Sequence, residues 1–208
     1  MKKIDTIVFD LGGVILDLDR DCAVSRFKDM GVLDIEDMLD PYEQKGLFLN
    51  FENGGMDMEE FCENLSKHVG RTFSKEEIDY GWLGFIMDTP QYKLDYIKEL
   101  RKDYKVYILS NTNPSVMEWA STPDFSEEGL PLTAYCDKIF ASYQMKATKP
   151  NPLIFELMIK DTGLIPEQTL FVDDGTRNVE MGEKLGFKTY QPKNKEDWRE
   201  TLNEILGR

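Results

Sequence analysis

One histidine, His68, and three scattered cysteines, Cys22, Cys62 and Cys136, are all that this 208-residue chain has of the two types most used as soft metal ligands. A His-rich zinc centre is thereby excluded, and a Ser-His-Asp apparatus has only one residue to serve as its base. His68 reads as a helix-surface residue. The cysteines are odd in number and form no CxxC pair, so no disulfide framework is expected. Reduced, mostly buried thiols in a cytoplasmic setting follow. Basic residues are also in deficit, with 25 Lys and Arg against 39 Asp and Glu and a formal charge of -14. Nucleic acid and acidic lipid surfaces are both met by clustered Lys and Arg, so neither is expected as a partner. No apolar run reaches the roughly 18 residues of a membrane span, and Asp5 and Asp10 interrupt the N-terminal stretch that comes nearest to a signal peptide. A small anionic ligand stays open, because a few basic groups or a divalent cation reverse the sign inside a pocket.

The hydrophobic set makes up 41% of the chain, enough for one compact domain or one domain with a modest insertion. Ile4–Phe9 is a short β-branched and aromatic run that stops at Asp10-Leu11-Gly12-Gly13, the pattern of a buried strand ending in a loop. Similar strands are read at Lys105–Ser110, Lys138–Ala141 and Thr169–Asp173, with a fifth at Lys188–Tyr190. Helical patterns separate them. One opens at Pro90 and runs to about Asp103, with Leu94, Ile97 and Leu100 on one face. A second opens at Asn151-Pro152 and carries Leu153, Phe155, Leu157 and Met158. Thr176 is placed to cap a third, which stops before Gly186, and Trp198, Leu202, Ile205 and Leu206 form the stripe of a last. Alternating strands and helices predict an α/β fold with a doubly wound, Rossmann-like parallel sheet.

The first connection breaks this rhythm. About 100 residues separate Asp10 from Ser110, whereas a strand-helix-strand unit needs about 30, so an inserted cap of roughly 70 residues is expected. It reads as helical. Asp57 with Glu60 and Ser74 with Glu77 have capping-box spacing, and Met58, Phe61, Cys62, Leu65 and Val69 form an apolar stripe that ends at Gly70. Residues 17–89 are therefore assigned to a small helical cap, and 1–16 with 90–208 to the core domain. Asn53-Gly54-Gly55 marks a turn between cap helices. Phe48, Phe51 and Trp82 are read as cap core, with a pocket-facing position as the alternative. Ser121–Tyr135 reads as a long loop, a second small elaboration near the site.

In open α/β sheets ligands bind beyond the carboxyl ends of the strands. Polar groups follow four of them here: Asp10 with Gly12 and Gly13, Ser110 with Asn111, Lys149, and Asp173 with Asp174. Together these point to phosphoryl transfer. Two carboxylates on adjacent strands can hold Mg2+, a hydroxyl and backbone amides can grip phosphate oxygens, and a lysine can neutralise developing charge. One carboxylate can attack phosphorus and form an aspartyl phosphate.

Val8-Phe9-Asp10-Leu11-Gly12-Gly13-Val14, Ile108-Leu109-Ser110-Asn111, Lys149-Pro150-Asn151-Pro152 and Phe171-Val172-Asp173-Asp174-Gly175-Thr176-Arg177-Asn178 resemble, in order, the four motifs of the haloacid dehalogenase-like hydrolases. The likeness extends over essentially the whole chain. The helical insertion sits where members with a helical cap carry theirs. The Asp-Leu-Gly start, Leu109-Ser110-Asn111-Thr112-Asn113 and Gly81-Trp82 are most similar to alpha-D-glucose-1-phosphate phosphatases. The resemblance implies a Mg2+-dependent phosphatase of a small phosphomonoester, with sugar phosphates among the candidates. Asp10 would be its nucleophile, and Asp10, the Gly12 carbonyl and Asp174 its metal ligands. Asp173 and Asn178 would stand behind these, and Ser110, the backbone around Asn111, and Lys149 would bind the phosphoryl group.

Phosphatases of this superfamily usually carry a second Asp two residues after the nucleophile, as proton donor and then base, and this chain has Gly12 there. Such help is worth about 10² to 10⁴ in rate. Three readings follow: a leaving group that needs little protonation, such as an anomeric hydroxyl, more acidic than an ordinary alcohol; a substitute such as Asp17, Asp19 or a metal-bound water; or a catalytically weak or inactive phosphate-binding or interaction protein. A dehalogenase has no need of the 173–174 pair. A response-regulator receiver carries its acidic pair after the first strand and has no room for the cap.

Overall fold

Thr6–Phe9 (β1) is apolar or β-branched throughout and buried at every position, because strands flank it on both sides. The computed structural model describes residues 3–39 and 45–208. After β1 the chain makes a tight loop and enters a two-residue strand, Asp17–Leu18 (β2). Among the described residues the helices that follow are α1 (Arg20–Asp29), α2 (Ile35–Met38), α3 (Gly46–Glu52), α4 (Met58–Val69) and α5 (Lys75–Trp82). The return strand, Ile86–Asp88 (β3), pairs antiparallel with β2, so this segment leaves and rejoins at one place. Then come α6 (Gln91–Leu100), β4 (Lys105–Ser110), α7 (Pro114–Ala120), β5 (Lys138–Ala141), α8 (Ser142–Met145), α9 (Pro152–Thr162), β6 (Thr169–Val172), α10 (Thr176–Lys184), β7 (Lys188–Tyr190) and α11 (Arg199–Leu206).

All five expected strands form one parallel sheet in the order β5-β4-β1-β6-β7. β1 pairs with β4 on one side and β6 on the other, with Phe9 opposite both Ile108 and Val172. The chain winds outward in both directions from β1, and its carboxyl end is therefore the crevice where ligands bind in such sheets. Successive β1 residues face opposite layers. Ile7 and Phe9 pack with Leu94, Ile97, Trp198 and Leu202, while Val8 packs with Leu109, Phe155, Phe171 and Phe187.

The segment between β2 and β3 has an apolar cluster of its own around Phe27, Phe48, Phe51, Phe61, Leu65 and Trp82. Phe27 meets Phe48 edge to face at 5.1 Å, and Phe51 stacks on Phe61 at 4.5 Å. Both capping boxes form, with Asp57 accepting from the Glu60 N–H and Ser74 from the Glu77 N–H, and Gly70 ends α4 in the left-handed conformation. His68 lies at the surface with Nε2 2.9 Å from Asp34.

Several local readings change. Gly175, and not Thr176, occupies the N-cap of α10, and the Thr176 hydroxyl instead accepts from Gln191 Nε2 at 3.0 Å. Leu153 and Ile205 belong to apolar stripes in the sequence but are exposed, because only one flank of α9 and of α11 meets the sheet. The 121–135 stretch buries Phe125, Leu132 and Tyr135 in the main core and contributes none of the residues that line the cavity described below. Among the described residues no helix is long and apolar enough to cross a membrane.

Candidate active site

The register of β1 and β6 sets Asp10 beside Asp173, since each is the first residue past paired strand ends and the Asp10 N–H donates to the Val172 carbonyl at 2.8 Å. Asp174 follows. Carboxylate oxygens of Asp10, Asp173 and Asp174 all lie within 4.8 Å of one another. Lys149 enters from the loop before α9 with its side chain fully buried. Its Nζ lies 2.9 Å from Asp10 Oδ2 and 2.5 Å from Asp173 Oδ2. The other Asp173 oxygen accepts from the Gly175 N–H at 2.8 Å and from Asn178 Nδ2 at 2.9 Å. Asp173 thus has three partners and Asp10 has two, the Lys149 ammonium on Oδ2 and the Leu11 N–H on Oδ1 at 2.7 Å, while Asp174 is the most exposed of the three carboxylates.

The turn after Asp10 is built to admit these carboxylates. Gly13 has φ of 73°, and a Cβ there would lie 2.1 Å from Asp174 Oδ2, so only glycine lets Asp174 reach the loop. Gly12 lies outside the left-handed region, and a Cβ on it would meet only the end of the Leu18 side chain at 3.0 Å. Buried Lys93 holds the loop from below, donating to the Val14 carbonyl at 3.0 Å and to Asp17 Oδ1 at 2.8 Å. Asp17 is therefore paired, and Asp19 caps α1 by accepting from the Cys22 N–H at 3.1 Å. Neither is among the residues that line the cavity described below.

Electrostatics strains this cluster. Burial pushes the Asp10 carboxyl well above the usual carboxylate range; Lys149 opposes that shift, and the charges of Asp173 and Asp174 add to it. Asp174 is pushed up to about 6 by burial and by the Asp173 charge. Burial alone would lower the Lys149 ammonium, but Asp10 and Asp173 outweigh it and hold the group above its ordinary value. One lysine among three carboxylates leaves a net negative centre made of hard oxygen donors, which suits a small divalent cation such as Mg2+.

Ser110 ends β4, is buried, and keeps only a 3.4 Å contact to the Asn111 carbonyl, too long to hold its hydroxyl firmly. The Asn111 side chain is taken: it donates to the Lys149 carbonyl at 2.9 Å and accepts from the Lys149 N–H at 2.7 Å. Only the Asn111 backbone remains for a ligand.

Above this floor lies a cavity of about 310 Å3, at the small end for ligand sites. Gly12, Ser110, Asn111 and Asp174, from the loops after the strands, line it together with Arg20, Glu52, Trp82 and Phe85 from the segment between β2 and β3. Phe48 and Phe51 stay in their own apolar cluster, as expected, while Trp82 both belongs to that cluster and lines the cavity. Among the described residues Trp82 Nε1 and Thr112 Oγ1, on residues of this lining, have no hydrogen-bond partner. Sequence reasoning missed Glu52. Its signal was the i, i+4 spacing from Phe48, which places it on the buried stripe of α3. Burial pushes its carboxyl up to about 8.

Fold and floor together define a hydrolase of the parallel α/β class. The chain belongs to the haloacid dehalogenase-like hydrolases, whose family profile matches residues 4–186. It is 52% identical over 204 residues to a D-ribitol-5-phosphate phosphatase of Bacteroides thetaiotaomicron, covering 98% of this chain and 99% of that one. Among solved structures it superposes with a TM-score of 0.96 on a predicted HAD-like family hydrolase from Porphyromonas gingivalis, at 46% identity and with 100% of both chains covered. A Bacteroides thetaiotaomicron HAD family enzyme, solved as a variant in complex with magnesium and inorganic phosphate, matches at a TM-score of 0.90 and 36% identity, over 96% of this chain and 98% of that one.

Proposed function

We propose that this chain is a Mg2+-dependent phosphatase of a small polyhydroxylated phosphomonoester, D-ribitol 5-phosphate or a near relative, acting through an aspartyl phosphate on Asp10. The observation that carries the reading is the contact of buried Lys149 with both Asp10 and Asp173 beneath the cavity. The 52% identical relative favours an open-chain polyol phosphate over a hexose 1-phosphate. Residues 17–89 act as the cap that closes on the substrate, and 1–16 with 90–208 as the core that carries the chemistry.

In this reading the Asp10 carboxylate attacks phosphorus and displaces the alcohol in line. The Ser110 hydroxyl, the Asn111 backbone and the Lys149 ammonium hold the non-bridging oxygens as charge builds on them. Asn178 and the Gly175 N–H fix Asp173, which in turn aims Lys149. Asp10, the Gly12 carbonyl and Asp174 would hold Mg2+, which offsets the repulsion between carboxylates and phosphate when bound. Water then hydrolyses the acyl phosphate and restores Asp10.

The test is a panel of phosphate esters that includes D-ribitol 5-phosphate and D-glucose 1-phosphate, run with Mg2+, with chelator, and with Asp10→Asn. Hydrolysis of the polyol phosphate that chelator and Asp10→Asn both abolish is the expected result. Undiminished activity in either condition rejects the mechanism.

A further inference from the structure

Displacing a polyol from its phosphate requires a proton for the departing oxygen, because an alkoxide is too basic to leave unaided at neutral pH. The floor has none to give. Asp10 is the attacking group, Asp173 is held by Lys149, Asn178 and Gly175, and Asp174 faces the metal position. In-line attack from Asp10 sends the leaving oxygen away from the attacking carboxylate, and the cavity over the strand ends is lined also by Arg20, Glu52, Trp82 and Phe85. Arg20 neither gives up a proton nor accepts one, and two of its N–H groups are held by the carbonyls of Leu39 and Glu36.

We infer that Glu52, at the end of α3, is the proton donor to the leaving alcohol and afterwards the base that activates water. The inference rests on the phosphatase reading above. Glu52 is 8% exposed and lines the cavity. Its carboxyl has no hydrogen-bond or ion-pair partner among the described residues, and nothing but burial acts on its ionisation. Arg20 and Asp174 are the other charged residues that line the same cavity, and the Ser142 hydroxyl of α8 meets the Glu52 backbone. Its backbone is anchored. The Glu52 carbonyl accepts from Ser142 Oγ at 2.6 Å, and that hydroxyl also accepts from the Thr112 N–H at 2.9 Å, which ties the end of α3 to the loop that follows Ser110. With its pKa near 8 the acid is protonated at neutral pH. In the first step the Asp10–phosphorus bond forms, the bond from phosphorus to the alcohol oxygen breaks, and the Glu52 proton moves to that oxygen. In the second, water attacks phosphorus, its proton passes to the Glu52 carboxylate, and the phosphorus–Asp10 bond breaks.

The test uses leaving groups. p-Nitrophenolate departs without a proton, whereas a polyol does not. Glu52→Gln should lower kcat/KM for D-ribitol 5-phosphate by about 10² to 10⁴. Its effect on p-nitrophenyl phosphate should be smaller by at least about 30-fold, with a burst of nitrophenol before slow turnover, because the second step still lacks its base. In the wild type, the ratio of the two kcat/KM values should fall as pH rises through about 8. That readout does not depend on the variant folding. Equal losses on both esters, a change in KM alone, or a ratio that ignores pH overturns the role of Glu52. If the wild type hydrolyses neither ester with Mg2+, the phosphatase reading fails and this inference with it. An active wild type with an unmoved ratio rejects Glu52 alone.

Discussion

The side chain of Asn111 closes two hydrogen bonds on the backbone of Lys149, donating to its carbonyl at 2.9 Å and accepting from its N–H at 2.7 Å. The end of β4 thus sets the position of a lysine that arrives on a different loop. Asn111→Ala frees that loop without touching the ammonium. Its kcat/KM on the preferred ester should fall by about 10- to 100-fold, since small misplacements of a positioning group have effects of that size. Mg2+ binding, followed by calorimetry, should be nearly unchanged. A large loss of Mg2+ affinity would contradict the separation of the two roles.

Removing Mg2+ should matter more at neutral than at acid pH. Asp10 and Asp174 ionise above their ordinary values, so the folded metal-free protein retains protons that the unfolded chain has released. The stability these two carboxyls contribute without metal is therefore fully present at low pH, and is lost as pH rises from the ordinary carboxylate range through about 6 for Asp174. A cation at about a hundred times its Kd adds about 2.7 kcal/mol. The rise in Tm on adding Mg2+ should be clear at pH 7.5 and small at pH 5, where protons compete for the same oxygens. Equal rises at both pH values would count against these carboxylates as the ligands.

Glu52 should reduce stability at the pH where it functions. Its ordinary value is 4.5 and its value in the fold is about 8. Between these limits the folded state holds a proton that the unfolded chain has lost, so stability falls across that window and levels off above it. Glu52→Gln cannot ionise and escapes this penalty. It should be about 2–4 kcal/mol more stable than wild type at pH 8.5 and nearly equal at pH 4.5, by denaturant titration. Destabilisation at pH 8.5 would mean that the carboxylate has a partner.

The adjacent glycines should respond differently to alanine. Gly13→Ala sets a Cβ against Asp174 at φ of 73°, and should remove both the Mg2+-dependent rise in Tm and most activity. Gly12→Ala meets only the tip of Leu18, which can turn aside, and should retain activity within about tenfold. Similar losses in the two variants would place the metal ligands elsewhere.

Much of this was legible because the signals are local. A run such as Thr6–Phe9 is a strand wherever it sits, and Asp57 with Glu60 caps a helix through neighbours three residues apart. Strand order is not local, so the flanking of β1 by β4 and β6, which brings Asp10, Ser110 and Asp173 to one crevice, comes from the structure. The pairing of Asp17 with Lys93 spans 76 residues and leaves no mark in the sequence near either one. Glu52 was hidden by composition: with 39 acidic residues, a carboxyl on an apolar stripe looks like the rest until burial separates it.

The hydroxyl of Ser142 has one proton and two carbonyls within reach, Glu52 at 2.6 Å and Thr112 at 3.0 Å. Were α3 to draw away from α8, that proton would turn wholly to Thr112, and the Glu52 carbonyl, at the end of its helix, would pass to water. Neither side would be stranded. A seam closed by a shared hydroxyl is one whose opening would cost little hydrogen bonding.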